Sequence, residues 1–180
     1  MGHLRGFAFA FALGALGTAS AEPARVSLAA RVGLQHVTVE YSDASLERNS
    51  LVYEAEVDAR ATSWLSVGPF IAYSAFSGQI EQPFGLPNVL MRQRLMTTGV
   101  RFNFHAAGFF GGLGVGIESL IFSKSTTNEA ALDLHLGYTF PRIGWVSPEL
   151  IAILLAGLPR DKYDGYGGVA SYQLAFGLRF

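Results

Sequence analysis

The stretch LVYEAEVDARAT, residues Leu51–Thr62, reads as two interleaved sequences. Leu51, Tyr53, Ala55, Val57, Ala59 and Ala61 are apolar, whereas Glu54, Glu56, Asp58, Arg60 and Thr62 between them are ionised or polar. Successive side chains of an extended strand point to opposite faces, so this stretch is a strand with one oily face and one charged face. What the fold must decide is which surroundings each face meets.

The alternation recurs in seven other runs: Val26–Tyr41, Leu65–Phe76, Met91–Phe104, Phe109–Phe122, Ala131–Phe140, Trp145–Ala156 and Ser171–Phe180. Two are less regular. Phe70 and Phe76 sit on the otherwise polar side of the Leu65 run, and Ile151, Ile153 and Leu155 share the face of Glu149. The gaps between runs alternate in length. Those at Ser63–Trp64, His105–Gly108 and Pro141–Gly144 are tight, while SDASLERNS, SGQIEQPFGLPNV, SKSTTNEA and GLPRDKYDGYGG are longer and more polar. Short turns on one rim and long loops on the other are a feature of transmembrane β-barrels. An even strand count puts both chain ends on the short-turn rim. A secreted β-sandwich of short strands is the alternative, but it gives no reason for the alternating gap lengths.

Composition agrees with the barrel. The chain has 180 residues, enough for one domain, and is 50% hydrophobic with only 15% charged residues. Yet no apolar segment reaches the roughly 17–25 residues that a membrane helix needs. The hydrophobicity is instead spread over many short runs. A net charge of −1 gives no basis for a nucleic-acid partner, and the absence of Cys rules out disulfide and zinc–thiolate frameworks. Four His are little material for a metal site, and no motif for a cofactor is present.

MGHLRGFAFAFALGALGTASA, residues 1–21, has a short basic start at His3 and Arg5, an apolar core from Gly6 to Gly17, and the small-x-small ending Ala19-Ser20-Ala21. This is the three-part pattern of a secretory signal peptide. Cleavage is expected after Ala21, leaving residues 22–180 as the barrel domain.

The mature chain as a whole resembles the small eight-stranded outer-membrane barrels of Gram-negative bacteria, the OmpA-barrel and OmpX kind. The resemblance rests on the strand count, the loop alternation and the closing YQLAFGLRF. It implies an all-β, eight-stranded antiparallel up-and-down transmembrane barrel in the outer membrane, reached by export through the periplasm. It implies further that Tyr172, Leu174, Phe176, Leu178 and Phe180 form the C-terminal signal read by the barrel-assembly machinery. The other expected partners are membrane lipids, lipopolysaccharide and an unnamed surface ligand, with the protein a monomer.

An eight-stranded barrel is only wide enough inside for side chains to fill it. The inward face collects Glu54, Glu56, Asp58, Glu118, Asp133 and Glu149 with Arg31, Arg60, Arg101, Arg179 and His135. Unpaired buried charges are very costly, so these groups are expected to pair into a plug. Glu54, Glu56 and Asp58 are about 6.6 Å apart along the strand, a spacing that would suit paired-carboxylate chemistry only if a substrate could enter. On the outer face, HVTVE places His36, Thr38 and Glu40 in line with Val32 and Leu34. Some barrels of the resembled kind modify lipid A with an outward His, Ser and carboxylate, and a base beside a hydroxyl is the arrangement for nucleophilic catalysis. Here Thr stands for Ser and the acid lies on the same strand. The expected role is structural or one of surface interaction through the long loops. A lipid A-modifying enzyme centred on His36 and a narrow solute pore are the alternatives.

Overall fold

The computed structural model describes residues 26–41, 45–80, 89–122, 125–158 and 166–180. Over these the chain forms β1 (Val26–Tyr41), β2 (Ser45–Arg60), β3 (Leu65–Ile80), β4 (Val89–Ala106), β5 (Phe109–Ile121), β6 (Thr126–Thr139), β7 (Ser147–Leu158) and β8 (Tyr166–Arg179). Each strand pairs antiparallel with its sequence neighbour, and β8 returns to β1, closing the barrel. The closing seam runs from Ala29↔Arg179 to Tyr41↔Tyr166. A closed sheet leaves no row of unpaired backbone groups, which hydrocarbon could not satisfy. The expected leader, with Ala19 and Ala21, lies outside the described residues, as do Phe84 and Leu86 of the longest loop.

Several strands run further into the long-loop side than their alternation suggests. β2 begins at Ser45 rather than Leu51, and its first residues pair with β1 out to Glu40↔Ser45. β6 begins at Thr126 rather than Ala131, pairing Ile121↔Thr126 with β5. His105, expected in a turn, belongs to the end of β4, and the connection to β5 is Ala107-Gly108, both with positive φ. Gly108 accommodates this conformation without steric cost; Ala107 adopts it at φ 50°.

The oily residues change sides along the barrel. Toward the short turns most face out: Val26, Leu28, Val32 and Leu34 on β1, and Leu132, Leu134 and Leu136 on β6, are all exposed, while Phe110, Ile151, Ile153 and Ala175 pack inside as a small cluster. Toward the long loops they face in. Val37, Val39, Leu46, Phe76, Leu95, Leu120 and Val169 form a buried cluster inside that end, with Phe122 packed against it. His36, Thr38, Glu40, Glu47 and Asn49 occupy the outer face at that level. One half is therefore patterned for oil outside and the other for water outside.

Aromatic rings mark the edges of the oily belt. At the short-turn end Trp64 stacks on Phe104 at 6.0 Å, Tyr138 meets both Phe109 and Phe140 at 4.8 and 5.0 Å, and Trp145 lies 5.1 Å from Phe180. At the upper edge Tyr53, Tyr73 and Tyr172 are exposed, with Tyr53 directly opposite Tyr73. Phe122, at the end of the Phe109–Phe122 run, packs against the inner cluster. Phe180 and Tyr172 are eight residues apart, about 26 Å along a strand. With a strand tilt of about 40° this is about 20 Å of height, close to the ~25 Å apolar band of outer-membrane barrels.

Candidate functional site

The lumen holds the densest chemistry of the molecule. Arg31 enters from β1, and its guanidinium donates to Glu149 at 2.5 Å, to Glu56 at 2.6 Å and to Glu54. Arg101 of β4 donates to Glu54 at 2.7 and 3.0 Å and to Asp133 at 2.7 and 3.1 Å, with a longer contact of 3.3 Å to Glu56. Its guanidinium carbon lies 4.1 Å from the centre of the Phe70 ring, which explains an aromatic on the polar side of β3. Arg179 of β8 closes the lower end by donating to Glu149, to Asp58 and to Ser27, all within 3.0 Å.

Neutral groups tie these pairs into one network. The Asn103 amide donates to Glu56 at 2.8 Å and to Asp58 at 3.3 Å, while its oxygen lies 2.6 Å from His135 Nε2. His135 Nδ1 lies 2.5 Å from Asp133. All of these residues except Arg179 and Ser27 are buried. Each carboxylate keeps several donors, the condition under which an ion cluster survives away from water. Glycines make room for it: a Cβ on Gly114 would fall 2.9 Å from the Asp133 side chain and 3.1 Å from that of Arg101.

Two members of the expected network stand apart. Arg60 lies at the exposed short-turn mouth, because β2 ends there and its last side chain has left the packed interior. Glu118 is in the lumen and only 2% exposed, but it meets no arginine: both its carboxylate oxygens lack a hydrogen bond among the described residues. It faces Glu129 directly across β5 and β6. Glu129 is buried as well, although in the sequence it sits within a polar loop-like segment. Only the extension of β6 to Thr126 turns it inward.

On the outer surface His36 Nδ1 lies 2.9 Å from Asn49 Oδ1 of β2. Thr38 stands opposite Glu47, and Glu40 opposite Ser45. Among the described residues the His36 ring is hydrogen-bonded to Asn49 and to neither Thr38 nor Glu40. The structure thus brings His36 to Asn49 rather than to Thr38 or Glu40. The C-terminal residues Tyr172, Leu174, Phe176, Leu178 and Phe180 all face outward on or beside β8. Phe180 extends the seam, its N–H donating to the Leu28 carbonyl at 2.8 Å.

No protein-family description and no curated protein matches this chain. Solved structures do. Neisserial surface protein A superposes with a TM-score of 0.55 at 13% identity, covering 88% of this chain and 98% of that one. Ail, the attachment invasion locus protein of Yersinia pestis, solved in complex with the heparin analogue sucrose octasulfate, gives 0.53 at 14% identity, covering 87% and 99%. The chain has the fold of these small surface barrels over nearly their whole length.

Proposed function

We propose that this chain is an integral protein of a Gram-negative outer membrane with a plugged lumen, working through the part of the barrel and loops that stands above the lipid. The observation that carries this reading is the change of sides by the oily residues. The belt from the Trp64–Phe104 ring up to Tyr53, Tyr73 and Tyr172 suits acyl chains. Above it, a polar exterior over an apolar interior suits water. The protruding stub is packed inside by the apolar cluster around Leu95 and Leu120, which suits a platform for surface contacts. In this orientation the short turns and the Ala29↔Arg179 end of the β1–β8 seam face the periplasm. The closing strand is, on the same reading, the segment offered to the assembly machinery.

A conducting pore is disfavoured by a lumen filled with fixed ion pairs below and apolar side chains above. A lipid A-modifying role for His36 is disfavoured by its hydrogen bond to Asn49, with none to a hydroxyl among the described residues. Both alternatives are open to one set of measurements. Planar bilayers with the purified barrel are expected to stay silent, and mass spectra of lipid A from cells with and without the protein are expected to match. A stable ohmic step or a shifted lipid A mass would replace this proposal with a pore or an enzyme.

A further inference from the structure

At the short-turn end the lumen does not finish flush. It opens into a cavity of about 530 Å³ whose walls include Arg60, Arg142, Arg179, His105, Asp58 and Trp145. This volume is in the range of small-molecule sites. Its side chains are lopsided in charge: three arginines face one acid, a formal side-chain charge of +2 with His105 neutral. The acid is already engaged, since Asp58 accepts from Arg179 and from Asn103. The arginines are not saturated. Arg60 makes no hydrogen bond or ion pair among the described residues, and Arg142 donates only to the Trp145 carbonyl, at 3.1 Å. Arg179 Nη2 is buried and has no acceptor, although the other two guanidinium nitrogens are paired.

We infer that this mouth is a binding site for the phosphate group of a soluble small molecule that reaches the barrel from its short-turn side, the periplasm on the reading above. Guanidinium forks match phosphate oxygens in geometry. A phosphate monoester carries about −1.5 to −2 charge near neutral pH, which complements the formal +2 of the wall side chains. The hydroxyls of Ser27 and Ser147 add donors, and the Trp145 ring gives the remainder of the molecule an apolar wall. The network above the cavity acts as its floor, where Arg179 is held by Glu149 and Asp58.

The test uses the full mature chain folded in a maltoside detergent, which carries no phosphate of its own, with inorganic phosphate as the probe. Amide resonances are followed by NMR. Saturable shifts are expected at His105, Ala106, Ala107 and Gly108, with half-saturation in the millimolar range or tighter and no matching change from chloride at equal ionic strength. The R60Q/R142Q variant is expected to weaken half-saturation at least tenfold while keeping the faster unboiled gel band of a closed barrel. Both side chains are exposed, so folding should tolerate the change, and the single variants R60Q and R142Q provide intermediate cases. Shifts that rise linearly, that chloride reproduces, or that survive in R60Q/R142Q would overturn the site. Binding tests the cavity itself, whereas a silent bilayer or an unchanged lipid A spectrum tests the membrane role, so either can fail alone.

Discussion

Replacing Arg101 with Met is the sharpest probe of the lumen. The side chain is 1% exposed and donates to Glu54, Glu56 and Asp133. Met fills much of the volume beside Phe70 but supplies no donor. Three carboxylates then lose a cation, although Glu54 and Glu56 keep Arg31 and Asp133 keeps His135. Breaking a buried pair by removing one partner costs about 3–5 kcal/mol. At 1.4 kcal/mol per tenfold, this is a loss of roughly two to three and a half orders of magnitude in the folding equilibrium. The assay is urea unfolding of the barrel in lipid vesicles, read by the unboiled gel band and by fluorescence of Trp64 and Trp145. The decisive comparison adds Glu54→Gln, which removes a carboxylate that takes two hydrogen bonds from Arg101. If orphaned charge is the cause, R101M/E54Q should recover at least about 1 kcal/mol relative to the sum of the single changes. A loss below about 1 kcal/mol for R101M, or strict additivity in the double variant, would refute the account of the lumen as a mutually dependent ion network.

Two further expectations follow from the same interior. Glu118→Gln removes one of two buried carboxylates that face each other across β5 and β6, and like charges directly opposite are destabilising; its unfolding midpoint should stay level or rise, and a fall comparable to that of R101M would show that Glu118 holds a partner. Gly68→Ala should sharply reduce the yield of the unboiled fast-migrating form, because a Cβ there would sit 1.6 Å from the Val57 carbonyl oxygen, where β2 and β3 approach beside Pro69; normal refolding yields would mean that the two strands can separate without loss.

Much of this architecture was legible in the sequence, for a physical reason. Where one face meets oil and the other a packed polar lumen, every second residue is constrained, and stretches such as Leu51–Ala59 display it. The strand count, the pairing order and the inward position of Arg31, Glu54, Glu56, Arg101 and Asp133 all follow from that. The legibility faded toward the long loops. There Ser45–Asn49 and Thr126–Glu129 are still paired, but water on the outside permits polar residues on both faces, so strand reads as loop. Glu129 was hidden by this. The inner cluster was hidden differently. Val37 and Val39 keep the alternation of β1 but reverse its sense, and a reading that follows one face alone misses the reversal. Partner choice within the lumen was not legible either. Which of several acids Arg101 meets depends on barrel tilt and stagger, which no single strand encodes.

The change of sides between Leu34 and Val37 also makes the barrel a depth gauge. Sliding it deeper by one pair of residues would drag His36 and Asn49 into hydrocarbon; sliding it outward would strand the Trp145 and Phe180 rings within the acyl chains and bare Tyr172 and Leu174 to water. Both displacements are uphill, so the protein sits at one level. In the orientation proposed above, the height of the long loops over the lipid is set by the barrel wall itself, whatever sequence those loops carry.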